Sequence, residues 1–194
     1  MSNLFATLEQ EAFRAGIQPR TKASREWFAS KVSNMRNINR RELMKDESLE
    51  RTAGEIVGSM QMFFYTAKHS KTLPYYDKFP LTIIVGPAAG GFHGLNLHYL
   101  PMNLRAKFLD GLLENITNKK YDGSTAFRAN YALLQKVSKL RYFKPCFKHY
   151  LTEQVKGRFA YVPSTEWEIA TFLPTAVWDG AEDSRVYNDS RRII

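Results

Sequence analysis

Cysteine is almost absent: Cys146 is the only one in 194 residues. No disulfide can form within such a chain, and a reducing compartment fits it best. Long apolar runs are missing too. The longest candidate, Leu81 to Val85, is strand-sized, against the roughly 20 residues that span a bilayer. Met1-Ser2-Asn3-Leu4-Phe5 has neither a basic n-region nor a continuous apolar h-region, so no signal peptide is read there. Internal repeats and low-complexity tracts are absent. These absences lead to the expectation of a soluble protein, cytosolic or particle-associated.

What is present is ordinary in bulk and uneven in charge. Apolar residues make up 44% and charged residues 24%, enough apolar surface to offset the entropy of ordering one domain. Lys and Arg number 28 against 19 Asp and Glu, a net +9. Residues 119–158 hold ten of the cations but only Asp122 and Glu153 as acids, whereas residues 159–194 carry net −3. Concentration of charge in one stretch suggests a polyanion partner. The plain alternative is a solvated lysine-rich helical face.

The first fifty-odd residues read as helical pieces. Ser2 is a possible cap for a helix to about Arg14, with Leu4, Phe5, Leu8, Ala12 and Phe13 on one side and Gly16 as its stop. Thr21 or Ser24 caps a second segment that gathers Trp27, Phe28, Val32 and Met35. A third, from about Arg40 to Ala53, offers only Leu43, Met44 and Leu49 as anchors. This arm therefore packs on the main domain or on another chain.

The period changes at Gly54. Ile56 to Thr66 reads as a strand with a possible bulge at Gly58. Pro74 and Pro80 forbid a central strand or helix between them. Leu81 to Val85 is a second strand, Gly86 to Gly91 a turn, and Phe92 to Leu100 a third strand. The scale suggests a small twisted antiparallel sheet or partial SH3-like barrel over about residues 55–100. Pro101 opens a helix whose apolar arc contains Arg105; snorkelling is the bland explanation, a buried pair or ligand contact the sharper one. Ser124 is read as the cap of a long helix to about Leu140, and a further helical stretch runs from the Tyr142-Phe143-Lys144-Pro145 break to Gly157. Thr165 and Glu168 form a possible capping box for a short helix that Pro174 ends, and the last residues are expected to fray. The fold class expected is α+β: a helical N-terminal arm (1–53), a single domain (54–180) and a flexible C-terminal tail (181–194).

Catalytic constellations are scarce. His93 and His98 point to opposite faces of an extended strand, and a single thiol excludes a cysteine-rich zinc site within one chain. Asp110 and Glu114, spaced i, i+4, could hold Mg²⁺ but are simply explained as exposed helix decoration. Gly86 to Gly91 lacks the Lys-Ser or Lys-Thr of a phosphate loop. Cys146 lies among Lys144, Lys148 and His149, which could lower its pKa, yet a packed thiol is the simpler state. No enzyme, cofactor, metal site or small-molecule substrate is read from these residues, nor a membrane partner. The stronger signal is for DNA. Lys119, Lys120, Arg128, Lys136, Lys139, Arg141, Lys144, Lys148, Lys156 and Arg158 alternate with Tyr121, Tyr131, Tyr142, Phe143, Tyr150 and Phe159. Cations release counterions from phosphates, and exposed aromatics stack on unpaired bases; many of these rings are equally explained as the core side of the same elements.

Several blocks carry a family likeness. They are Lys71-Thr72-Leu73-Pro74-Tyr75-Tyr76-Asp77-Lys78-Phe79-Pro80-Leu81, Gly91-Phe92-His93-Gly94-Leu95-Asn96-Leu97-His98-Tyr99-Leu100-Pro101, Tyr142 through Leu151, and Glu166 through Pro174. Together they resemble the DNA end protector proteins of T4-like myoviruses, over about residues 54–190, with a weaker echo in Thr21 to Phe28. The resemblance implies a non-catalytic virion protein near the head-tail junction that holds the ends of packaged double-stranded DNA and shields them in the host cytoplasm after ejection. It implies neck or tail proteins as further partners. A structural neck, tail or baseplate protein whose basic face meets another virion protein is the alternative.

Overall fold

The computed structural model describes residues 3–35, 37–116 and 140–194. Among the described residues it is an α+β protein with seven α-helices and eight strands, in the class expected. Helices α1 (Leu4–Arg14), α2 (Lys22–Val32) and the single turn α3 (Arg40–Leu43) precede the first strand, β1 (Glu50–Thr52). Asn3 occupies the N-cap position of α1, and Gly16 takes the positive φ of 69° that a helix stop favours. Thr21 and Ser24 do form a reciprocal capping box on α2. The helix read from Arg40 to Ala53 is cut to one turn, because the chain then pairs as β1.

Strands β2 (Met60–Tyr65), β4 (Leu81–Ala88), β5 (Gly91–Asn96), β6 (Phe147–Leu151) and β7 (Val155–Val162) join β1 in one sheet of order β1-β7-β2-β4-β5-β6. All of its pairings are antiparallel. A two-stranded ribbon, β3 (Tyr76–Asp77) with β8 (Trp178–Asp179), lies apart. Helices α4 (Met102–Ile116), α5 (Phe143–Cys146), α6 (Trp167–Phe172) and α7 (Asp183–Ile193) complete the fold.

Three extended segments differ from expectation. The first central strand begins at Met60, since Gly58 sits at φ 84° and the irregularity falls between Met62 and Phe64. The strand from Leu81 continues through Gly86 and Pro87 by way of a bulge, leaving only Ala89 and Gly90 as the turn. Its partner ends at Asn96, where the Asn96 side chain accepts from His98 N–H and starts a 3₁₀ turn over Leu97–Tyr99. The helical stretch read from 142 to 157 is instead α5, β6 and the start of β7. The C-terminal residues expected to fray form α7, which buries Val186 completely.

Both faces of the sheet are buried. One packs Met60, Met62, Leu81, Ile83, Leu95, Ala160 and Val162 into a core shared with α1, α2, α4 and α6. N-terminal residues Phe5, Leu8, Phe28, Val32, Leu43 and Leu49 belong to that same core. On the other face the sheet curls, and Phe63 of β2 meets Phe92 of β5, Tyr150 of β6 and Phe159 of β7 at ring separations of 5.0–5.7 Å. Tyr65 of β2 and Tyr150 of β6, strands separated in the sheet by β4 and β5, stack edge to face at 5.0 Å. The sheet stays open, with β1 and β6 at its two edges, and the mouth of the curl positions the site described next. Gly91 permits it: a Cβ there would lie 1.8 Å from the Tyr150 carbonyl oxygen.

Arg105 is the largest fully buried side chain, at 1% exposure, so snorkelling does not describe it. Its Nε–H donates to Leu100 O at 2.6 Å, and its other nitrogens donate to Thr171 O and the Tyr187 hydroxyl. One guanidinium thus ties α4 to α6 and α7. The Thr165–Glu168 box is also replaced. A 3₁₀ turn over Ser164–Glu166 precedes α6, and Glu168 instead accepts from Arg20 N–H (2.8 Å) and Ser24 Oγ (2.5 Å).

Glu166 adds a pH dependence. It is 7% exposed, and its Oε2 has no hydrogen-bond partner among the described residues. Burial, followed by repulsion from Glu9 and Asp46, pushes its pKa up to about 7. The unfolded chain then releases this proton well before the folded one, so stability falls as pH rises from about 4.5 to about 7. Glu166→Gln is expected to stabilise the protein at pH 8 by about 1 kcal/mol, after allowance for solvent screening. That is a melting midpoint ~2–4 °C higher, with the gain vanishing near pH 4.5; thermal melts at the two pH values check it.

Candidate nucleic-acid interface

The ten cations read from the sequence divide into two groups. Lys119, Lys120, Arg128, Lys136 and Lys139 lie outside the described residues. The other five are placed. Arg141 and Lys144 are exposed at α5, with the Arg141 guanidinium 5.3 Å from the Tyr142 ring centroid. Lys156 and Arg158 are exposed at the start of β7, where their strand pairs with β2 but β1 does not reach them. Lys148, on β6, turns inward with Tyr150. The helix that would align Lys144, Lys148 and Lys156 on one ridge does not form, so these three sit on three different elements.

None of the five has an ion-pair partner among the described residues, whereas other cations do. Arg25 pairs with Asp110, Lys31 with Glu11, Lys45 with Glu42, Lys68 with Glu153 and Lys78 with Asp179. Unpaired cations keep their full field for an external anion. Of the aromatics interleaved with them, Phe143, Tyr150 and Phe159 are buried and serve the core; Tyr121 and Tyr131 lie outside the described residues.

Beside β6 a cleft of about 280 Å³ opens at the mouth of the curl. Tyr65, Tyr75, Tyr76, Tyr99 and Tyr150 wall it, and Leu73 and Pro74 form its exposed lip. The Lys148 ammonium lies within it, 3.8 Å from the Tyr99 ring centroid. Desolvation lowers the Lys148 pKa, and it raises those of Tyr65, Tyr75, Tyr76, Tyr99 and Tyr150. The tyrosines are therefore neutral, and the charged groups bordering the cleft are the Lys148 ammonium and the Asp77 carboxylate. Sequence reasoning named Lys148 but missed the tyrosines. A signal existed: Lys148 and Tyr150 are in phase on a strand, which places them on one face.

Behind the cleft lies a buried polar chain. Asp77 Oδ2 accepts from His98 Nδ1–H at 2.7 Å and from Asn96 Nδ2 at 3.0 Å; Oδ1 accepts from Phe79 N–H and Val177 N–H. The Thr175 hydroxyl donates to His98 Nε2 at 3.0 Å. Burial raises the Asp77 carboxyl, but His98, Asn96 and Phe79 more than reverse this and leave it below the usual range. Burial lowers His98 further than Asp77 lifts it, so the pair is a carboxylate with a neutral imidazole. Hydroxyl, imidazole and carboxylate stand in the order of a nucleophilic triad. Asp77, His98 and Thr175 are only 0–2% exposed, and their hydrogen bonds tie β3, the turn after β5 and the segment before β8 together as a structural clamp.

The remaining sequence suggestions resolve simply. Cys146 is fully buried, and burial pushes its thiol up to about 12 despite Lys148 and Arg105; it is a packed thiol. Asp110 is taken by Arg25. His93 packs on Phe147 and His149, while His98 is enclosed. Among the described residues no group of three or more His, Cys, Asp or Glu could hold a metal ion, and no helix is long and apolar enough to cross a membrane.

No curated protein and no solved structure matches the chain. A family does: the family described as phage T4 terminal DNA protecting protein matches residues 2–190. The match covers the N-terminal helices, the curled sheet and the cleft together. The chain belongs to the phage T4 terminal DNA protecting protein family.

Proposed function

We propose that this protein binds the ends of linear double-stranded DNA and shields them without cutting or joining them. The family match over residues 2–190 carries this reading, and the five cations at or near α5, β6 and β7, without ion pairs among the described residues, support it physically. Arg141, Lys144, Lys156 and Arg158 lie on the surface, where they would neutralise backbone phosphates; Lys148 faces the cleft. Lys119, Lys120, Arg128, Lys136 and Lys139 belong to the same proposed contact through the sequence. The protein would act as a virion component near the head-tail junction and stay with the DNA in the host cytoplasm after ejection. Neck or tail proteins are its further partners in this reading, and Phe13, 83% exposed at the end of α1, offers them an apolar anchor.

The test compares binding to a linear duplex and to a covalently closed circle of the same sequence, across a salt series with magnesium present. Tighter binding to the linear form, with both DNAs left intact, is the expected result. Equal binding would reduce the reading to a generic basic surface. Absence of binding near physiological salt would leave a virion protein whose basic face meets another protein.

A further inference from the structure

The cleft beside β6 pairs an aromatic lining with one uncompensated cation. Three of its tyrosines are held in place by their own hydroxyls. Tyr65 Oη accepts from Leu151 N–H, Tyr75 Oη donates to Asp189, and Tyr150 Oη accepts from Asn96 Nδ2. Rings rather than hydroxyls are thus left to make the walls. Asp77 also borders the cleft, but four donors already occupy its two oxygens. Lys148 is different: its only close partner among the described residues is the face of Tyr99. An ammonium that has given up much of its water without gaining a carboxylate costs stability, and an incoming anion would recover that cost. The volume, about 280 Å³, is near the lower end of ligand-sized pockets, which start at about 300 Å³.

Flat aromatic walls beside a lone ammonium match the two halves of a nucleotide, a base with a π-face and a phosphate. We propose that this cleft receives the terminal nucleotide of a DNA strand, its base against the tyrosines and its terminal phosphate monoester on Lys148 Nζ. The proposal rests on the end-binding reading and deepens it, because only an end offers a phosphate monoester and a base that leaves its stack cheaply. Internal phosphates are diesters flanked on both sides. The surface cations would then hold the duplex while the cleft identifies its end.

The test uses the full-length protein and hairpin duplexes with one open end. That end carries a 5′-phosphate, a 3′-phosphate, or hydroxyls on both strands, so the two sources of a monoester are separated. Wild-type protein should bind one phosphorylated end about tenfold or more tightly than the hydroxyl end. Lys148→Met should bind all three at the hydroxyl-end level with a melting midpoint no lower than that of the wild type. Retained discrimination in that variant, or none in the wild type, would overturn the proposal. In case the variant misfolds, deoxyadenosine 5′-monophosphate is added to wild-type protein and followed by NMR. It should shift Lys148 and Tyr99 resonances well beyond deoxyadenosine, and no such difference also overturns the cleft assignment. A linear-over-circular preference without these shifts defeats the cleft alone. Equal binding of linear and circular DNA defeats the end reading, while the mononucleotide shifts still decide what the cleft binds.

Discussion

Asp77→Ala is expected to cost about 3–5 kcal/mol, the usual penalty for removing one partner of a buried charge-assisted cluster. The carboxylate serves four donors from three parts of the chain: Phe79 N–H, Asn96 Nδ2, His98 Nδ1–H and Val177 N–H. Alanine leaves all four without that acceptor, three of them in fully buried hydrogen bonds. Domains have only about 5–15 kcal/mol of net stability, so the variant should melt ~6–20 °C lower and lose near-ultraviolet dichroism first. The wild-type pH dependence has a definite sign. His98 stays neutral in the fold below its ordinary value near 6.5, so the unfolded chain gains a proton that the folded chain refuses, and stability falls as pH drops below about 6.5. Asp77, held below the usual carboxylate range, adds a further loss in stronger acid. Glu166 works in the opposite direction between about 4.5 and 7, so Glu166→Gln should steepen the acid-side decline. An Asp77→Ala protein that melts like the wild type would show that the clamp has been misidentified.

Reversing two exposed cations should produce the largest change in DNA affinity. Lys156 and Arg158 are exposed two residues apart on β7, without ion pairs among the described residues. If each neutralises one phosphate, Lys156→Glu with Arg158→Glu lowers the slope of log affinity against log salt by about 2. Affinity near 100 mM salt should fall roughly tenfold or more. Both side chains are exposed, so stability should stay within about 0.5 kcal/mol of wild type. Binding isotherms at four salt concentrations, with a thermal melt as control, check both halves. An unchanged slope would remove β7 from the interface and leave the contact to α5 and the cleft.

Much of the fold was legible where local pattern and tertiary need agree. The helix after Pro101, the strand from Leu81 and the stop at Gly16 all follow from periodicity or from a residue's conformational freedom. Residues 142–157 were misread for a physical reason. Phe143, Phe147, Leu151 and Val155 recur every four residues, and four is a multiple of the strand period as well as close to a helical turn. Spacing cannot choose between the two; pairing of β6 with β5 and of β7 with β2 does. Gly157, read as a helix stop, has the positive φ expected of one, 83°, but inside a strand.

The site was legible only in part, because it is assembled from distant segments. Lys148 was visible as charge, yet its inward direction depends on β6 being a strand. Tyr65, Tyr75 and Tyr99 come from three elements separated by the prolines that bracket β3, and nothing local marks them as neighbours. The Thr175-His98-Asp77 chain likewise spans about half the sequence. Arg105 stands out of place in an apolar arc of the sequence; its acceptors on Leu100, Thr171 and Tyr187 are supplied by the packing of α6 and α7 against α4, which periodicity does not encode.

If the protein shields DNA ends, exonuclease digestion of a linear duplex should stop when the ends are occupied. A linear duplex with two open ends is incubated with increasing protein, then exposed to a processive double-strand exonuclease, and the surviving full-length strand is quantified. Full survival once each end is occupied, at a protein concentration far below that needed to coat the duplex, is the predicted result. Digestion at the unprotected rate until the whole length is coated would show that the protein does not shield ends.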